Sequence, residues 1–435
     1  MCPGNMPPQC FCNANMYNVI ILGLSFMFIY TAFHTTSMVQ ITVLHSASNT
    51  TRQGDGFVSL GIIYATFGLC NWIAPVVIFL CGTKISMIMA GVTYLLFIMS
   101  FLKPVYWTLY LGSFLVGFGA AVIWAALSAF LAKSFDSKAM PRNSGIFWAL
   151  FQCSLLLGNL YSYFTFQGKE VISDQLRIQL FAGLSGACGF GVLLLFLLRS
   201  KVRPPPLSSV EHFTKELVHS PVNIADVKST FLRAFQLLKN RNMQLLFIPF
   251  LYVGIEITFF SGVYGTCLAN NKHFGQEAKA LIGLSGMFIG VGEILGGSTL
   301  AILGKLTQHY DKAPFIFMGY LSHITACYLA FLNLPFDSAQ GESNSPTYIP
   351  SSIAVALVCS FLLGFTDSIF NTQVLAIVGT MFIEDAVAAF SLCKFFQCFA
   401  AAISFLYSIA LPLQWQLLII VILSTCSAIL FFSLK

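Results

Sequence analysis

Apolar stretches long enough to cross a hydrocarbon layer about 30 Å thick as a helix recur twelve times along the chain. They lie at 18–44, 57–80, 85–102, 105–131, 144–166 and 178–198, and again at 243–268, 280–303, 313–334, 352–381, 386–410 and 413–433. Short polar segments separate them, except for one long polar stretch, 199–241, which opens on Pro204-Pro205-Pro206. Inside lipid a spanning segment must satisfy its own backbone, which selects helices here. The predicted fold is an all-α membrane protein of twelve transmembrane helices. It divides into a six-helix bundle over 1–198, a linker over 199–241 and a second bundle over 242–435.

Within the linker, Val227, Phe231, Phe235 and Leu238 fall on one helical face, with Lys228, Arg233 and Lys239 elsewhere. That pattern fits an amphipathic helix on the anionic cytoplasmic leaflet; a loosely ordered tether fits as well.

Composition strengthens the membrane assignment. Of 435 residues, 57% are hydrophobic and 9% charged, where soluble domains carry roughly 25% charge, and the mean hydropathy is +0.81. Lipid must cover such a surface. The net charge of +6 does not indicate nucleic acid, because the basic residues sit in short loops and the linker. With both termini cytoplasmic, fifteen of the 22 Lys and Arg fall inside and six outside, Lys394 lying within a helix. This agrees with the positive-inside rule. Asn49-Thr50-Thr51 then falls in the first outside loop as a glycosylation acceptor. A plasma membrane and an endomembrane fit equally. Residues 1–17 hold prolines and no Lys or Arg, so no cleavable signal is expected. Most of the thirteen cysteines lie within apolar segments, where they act as small hydrophobes; Cys2, Cys10 and Cys12 form an N-terminal group open to palmitoylation.

The two halves carry an internal repeat. Gly61, Gly68 and Gly82 overlie Gly283, Gly290 and Gly304; Gly117-Phe118 overlies Gly364-Phe365; Phe151-Gln152-Cys153 overlies Phe396-Gln397-Cys398; and, more weakly, Gly23 through Thr35 overlies Gly254 through Thr266. In this register Ser25 stands opposite Glu256, Asn71 opposite Glu293, Ala120 opposite Asp367 and Ala149 opposite Lys394. The intramembrane charges thus belong to the carboxyl half. A carboxylate at mid-bilayer costs about 2.5–3.5 kcal/mol on insertion scales and must be paired, protonated or wetted.

Two readings of these charges follow. In one, Glu256, Glu293 and Asp367, with Asn371 one turn beyond Asp367, face a cavity that binds a cation or proton, and Lys394 is the counter-charge. In the other, they are interhelical hydrogen-bonding groups that fix packing, which the glycines around Glu293 favour there. Gln152 and Asn159 share a face of the fifth helix with Trp148, as a cavity wall or as packing contacts. His34 reads as an interface residue, and His323 as a packing or snorkelling one. No metal-ligand spacing, phosphate-binding loop or hydrolase motif occurs. Neither an enzyme nor a cofactor or metal is expected.

Four stretches carry a family likeness: Arg142-Asn-Ser-Gly-Ile-Phe-Trp-Ala-Leu-Phe-Gln152; Thr258-Phe-Phe-Ser-Gly-Val-Tyr-Gly-Thr-Cys267; Gly292-Glu-Ile-Leu-Gly-Gly297; and Asp367-Ser-Ile-Phe-Asn-Thr-Gln373. On these the chain resembles the uncoordinated-93-like branch of the major facilitator superfamily. The resemblance implies two pseudo-symmetric six-helix bundles around a central cavity. It also implies two kinds of function. One is secondary transport of an unidentified small solute, proton- or cation-linked. The other is an accessory role, because members of the wider family regulate a potassium channel or escort a membrane receptor. The superfamily's charged loop between helices 2 and 3, a latch between the halves in typical transporters, is reduced here to Gly82-Thr83-Lys84 without its aspartate.

Overall fold

The computed structural model describes residues 8–46, 54–134, 140–199, 232–306, 313–382 and 385–433. In chain order the helices are α1 (Pro8–Ser46), α2 (Gly56–Cys70), α3 (Ala74–Cys81), α4 (Thr83–Ser100), α5 (Tyr106–Ser134), α6 (Met140–Phe166) and α7 (Asp174–Phe196). There follow α8 (Arg241–Thr258), α9 (Tyr264–Asn270), α10 (Leu281–Leu306), α11 (Ala313–Asn333), α12 (Ile353–Met381), α13 (Ala386–Ser408) and α14 (Leu413–Ser433). Eleven helical stretches among the described residues are long and apolar enough to span a bilayer. The bent pair α2 and α3, counted as one span, brings the total to the twelve that the hydropathy predicts. Asn49 and the linker positions Val227 and Phe231 lie outside the described residues.

Two spans depart from the straight helices that the hydropathy predicts. The run at 57–80 bends by 70° between α2 and α3. The break falls at Asn71-Trp72-Ile73, just before Pro75, which lacks an N–H and fits only the first turn of a new helix. The span at 241–270 is continuous, but a π-helical turn, Phe259–Val263, separates α8 from α9. Such turns widen the helix and re-aim its side chains.

Helix starts are set locally. Asp55 accepts from the N–H groups of Phe57 and Val58 at 2.7 and 3.1 Å, and Ser173 accepts from Leu176 at the start of α7. Lys84 donates to the carbonyls of Phe196 and Leu198 at 2.8 and 2.7 Å, satisfying acceptors at the end of α7.

In the first half, α1 packs on α6 and α7, and α5 on α2 and α4; in the second, α12 packs on α10 and α11, and α8 on α13 and α14. Two contacts dominate the seam between halves, α2 on α13 and α6 on α10. The repeat maps one of these contacts onto the other. Glycine makes both possible. A Cβ at Gly283 would sit 2.5 Å from the Asn159 carbonyl and 2.6 Å from the Tyr163 nitrogen; one at Gly68 would sit 3.0 Å from the Cys398 Cβ. Within the halves, Gly117 abuts the Ile63 carbonyl of α2, and its repeat mate Gly364 abuts the Ile289 carbonyl of α10, one turn displaced.

Candidate functional site

The glycine contacts of the seam lie between mid-depth and the end that carries the 271–280 and 334–352 segments, here called the far end. The opposite end carries the linker. At mid-depth, where the glycines give out, polar side chains from several helices converge.

Gln152 of α6 donates its amide to the Glu293 carboxylate of α10 at 3.1 Å, a hydrogen bond across the seam. The neutral carboxamide satisfies the acid without adding charge. Asn371 donates to Asp367 at 2.8 Å along one face of α12, the i, i+4 spacing that the sequence displays. Lys394 of α13 donates to Gln397 at 2.9 Å. Gln152, Glu293, Asp367, Asn371 and Lys394 are all half-buried. Asp367 lies within electrostatic reach of Glu256 and Lys394, and Glu293 within reach of Asp367. The four charged positions that the sequence singles out therefore form one neighbourhood.

Within it they differ. Glu256 is fully buried, and its carboxylate lies 3.2 Å from Nδ1 of His323 on α11, which is also fully buried. The pair is close, yet neither residue has a well-aligned hydrogen bond among the described residues. The Tyr252 ring stands edge-on to His323 at 5.4 Å between centroids. Glu256 thus sits behind the seam, inside the carboxyl half, in the geometry of an interhelical pair. His323 is more than the packing residue that its sequence suggests: it is the partner of Glu256. Nothing in the periodicity links two residues 67 positions apart, since α8 and α11 meet only in the folded bundle.

Asn159 is also fully buried, and it donates to the Leu155 carbonyl of its own helix at 2.8 Å. A Cβ on Gly286 would fall 2.3 Å from its side chain, so Asn159 lies directly against α10 across the seam. His34 lies in an aromatic cluster with Tyr30 and Phe151, with ring centroids 5.2 and 5.8 Å away. In the described part of the linker, Ala234 and Leu237 are buried and Phe235 is exposed. Arg233 pairs with Asp385 at 2.5 Å, fastening the linker to the start of α13.

One feature beside Gln152 carries no charge. Trp124 of α5 stacks on Trp148 of α6 at 6.0 Å, the planes inclined by 21°. Trp124 is half-buried. Trp148 is 47% exposed and lies one turn from Gln152 on the same helical face.

The family model described as "Ion channel regulatory protein UNC-93" matches residues 47–432. The chain belongs to the UNC-93 family. It is 39% identical over 427 residues to the UNC93-like protein MFSD11 of Xenopus laevis, covering 96% of this chain and 95% of that protein. It is 26% identical to UNC93-like protein 3 of Arabidopsis thaliana, over 93% of this chain and 83% of that one. Among solved structures, it matches a POT family transporter in complex with 5-aminolevulinic acid (TM-score 0.68, 11% identity, 95% and 94% covered). It also matches the nucleoside transporter NupG (TM-score 0.61, 16% identity, 97% and 98% covered). At such identities the likeness shows the fold, which for this UNC-93 member is that of a multi-pass facilitator-type membrane protein.

Proposed function

We propose that this UNC-93 family member is a secondary transporter that moves a small solute through the seam between its halves. The observation that carries the reading is the Gln152–Glu293 hydrogen bond across the seam, with Asp367, Asn371 and Lys394 half-buried beside it. A charged group in a bilayer that is neither sealed into a helix contact nor exposed to bulk water marks a solute or ion path by default. In this reading Glu293 and Asp367 face the solute, and Asp367 gains and loses a proton or cation during the cycle. Glu256, held by His323, responds to its charge from behind. The two bundles, 1–198 and 242–435, rock about the glycine contacts, and the linker 199–241 tethers them on the cytoplasmic side with both termini. Asn49 is then extracytoplasmic and open to glycosylation. The membrane is the plasma membrane or an endomembrane.

The test is flux into proteoliposomes containing the purified chain. A solute that accumulates in the wild type, and fails to in Asp367→Asn at equal incorporation, supports transport. No flux across a broad solute panel, with a channel or receptor subunit co-purifying, overturns it.

A second reading, a non-transporting regulator of a channel or receptor, is favoured by the description of the family as ion channel regulatory and by Lys84. The loop at 82–84 lacks its aspartate, and Lys84 is committed to the α7 carbonyls within its own half. It supplies no latch between the halves.

A further inference from the structure

We infer that the mid-depth site takes an organic monocation with a flat aromatic body, its ammonium group at Glu293 and its ring on the Trp148–Trp124 stack. The inference rests on the reading of the seam as a solute site and names the class of solute.

The charge count comes first. Among the described residues around the seam stand two half-buried carboxylates, Glu293 and Asp367, and one lysine, Lys394, with Glu256 set apart against His323. Glu293 has no ion pair; its one hydrogen bond comes from the neutral Gln152 amide. Two carboxylates face one lysine, so one negative charge is left over. In a bilayer an unbalanced carboxylate is either protonated or matched by a cation from outside. A single ammonium group restores neutrality, whereas a second negative charge does not.

The amino half supplies the rest. Trp148 sits one helical turn from Gln152 on the α6 face that meets α10, on the linker side of the last seam contact. It is 47% exposed, and Trp124 of α5 backs it at 6.0 Å. Beneath them Tyr30, 5.4 Å from Trp124 between ring centroids, is buried, and so is Phe151 at 5.5 Å. The two indoles are therefore held on a packed base and are not free to collapse. An indole face attracts cations and stacks on flat rings. A helical turn of 5.4 Å separates this face from the Gln152–Glu293 bond, about the span of an arylalkylamine. The uncharged half offers the aromatic platform, and the charged half offers the carboxylate.

The test uses the full-length protein in nanodiscs, with tryptamine as probe, its neutral isostere tryptophol, the anion indole-3-propionate and the non-aromatic cation butylammonium. Binding is read by isothermal titration calorimetry. Tryptamine binds with a Kd below about 1 mM, and each of the three comparison compounds binds at least about tenfold more weakly. Glu293→Gln weakens tryptamine by about tenfold or more, and Glu293→Asp restores part of the affinity. Trp148→Ala weakens it several-fold and Trp148→Phe less so. Circular dichroism and size-exclusion profiles confirm that each variant folds, and the conservative replacements keep the test decisive if Glu293→Gln or Trp148→Ala does not. No tryptamine binding, equal binding of tryptophol or the anion, or binding untouched by the Glu293 and Trp148 variants each overturns the inference. Tryptamine binding with no flux of any solute in the broad panel refutes transport and leaves this site standing. Flux of a neutral or anionic solute with no tryptamine binding refutes the site and leaves transport standing.

Discussion

The two halves share a helical frame and differ in what they place at its centre. The amino half has Ser25, Asn71, Ala120 and Ala149 where the carboxyl half has Glu256, Glu293, Asp367 and Lys394. Ser25 turns its hydroxyl back to the Ile21 carbonyl of its own helix at 2.7 Å and asks nothing of its neighbours. Glu256 cannot do so, and it is matched by His323 from another helix at 3.2 Å. One frame therefore supports two arrangements: an amino-half wall with no charge at these positions, and a carboxyl-half wall in which Glu256 and Glu293 meet residues of other helices while Asp367 and Lys394 meet residues of their own. In the transport reading proposed above, specificity for an ion or solute concentrates in the second, and the first supplies shape.

The sharpest way to break this contrast is at the pair of equivalent positions. Glu256→Ala removes one member of a fully buried pair and leaves His323 unmatched, a loss of about 3–5 kcal/mol. Ser25→Ala removes a hydroxyl bonded within its own helix and costs less than about 1 kcal/mol. Denaturant unfolding in detergent micelles measures both. Replacing the pair together, Glu256→Leu with His323→Phe, recovers most of the loss, because neither ionisable member is then left without the other. If Glu256→Ala and Ser25→Ala cost the same, the two halves do not differ in the way described.

A second contrast lies at the seam. Gly61 and Gly283 are repeat mates, yet their surroundings differ. A Cβ at Gly61 meets its nearest neighbour, the Ala402 carbonyl, at 3.5 Å, an ordinary contact, whereas at Gly283 it meets backbone atoms of Asn159 and Tyr163 at 2.5 and 2.6 Å. Gly283→Ala therefore forces α10 away from α6 and costs about 1–3 kcal/mol, while Gly61→Ala is close to neutral. The same unfolding measurement separates them. A further readout is cross-linking of cysteine pairs placed across α6 and α10, which declines only in Gly283→Ala.

These differences show where the sequence is readable. All twelve spans could be read, because a bilayer demands a fixed length of apolar helix whatever the helix packs against. Asp367 and Asn371 could be paired in advance, because they lie one turn apart on one helix. The α2–α3 bend left a trace in Asn71 and Pro75, although hydropathy averages across it. The π turn at 259–263 left none, because its residues are as apolar as those of any other turn. Glu256 with His323, Gln152 with Glu293 and Trp124 with Trp148 each join different helices. Such pairings depend on rotation and tilt, which no single helix's sequence encodes. The site's members were thus mostly visible as oddities of composition; their division of labour was not.

The smallest contrast lies at the far end. In the amino half, Arg177 pairs with Asp174 three residues away on the same helix, a contact that constrains only α7. In the carboxyl half, Glu342 reaches Lys279 at 3.1 Å and Lys272 at 3.3 Å, joining the 334–352 segment to the turn before α10. Burial works to raise the Glu342 carboxyl, but hydrogen bonds and charge from Lys279 and Lys272 outweigh it and hold the group below its ordinary value. A carboxyl lowered by folding contributes stability above its unfolded value, near 4.3, and loses that contribution as pH falls through the folded value. Glu342 is about half exposed (52% of its side chain), so solvent screens the pair and the gain stays below about 1 kcal/mol. Glu342→Gln should therefore lower the melting temperature slightly at pH 7 and not at all near pH 3, and added salt should shrink the difference. Asp174→Asn should move it less, since its pair lies within a helix that forms without it. A larger effect from Asp174→Asn would mean that α7, not the carboxyl-half loops, is the element that ionic contacts secure at the far end.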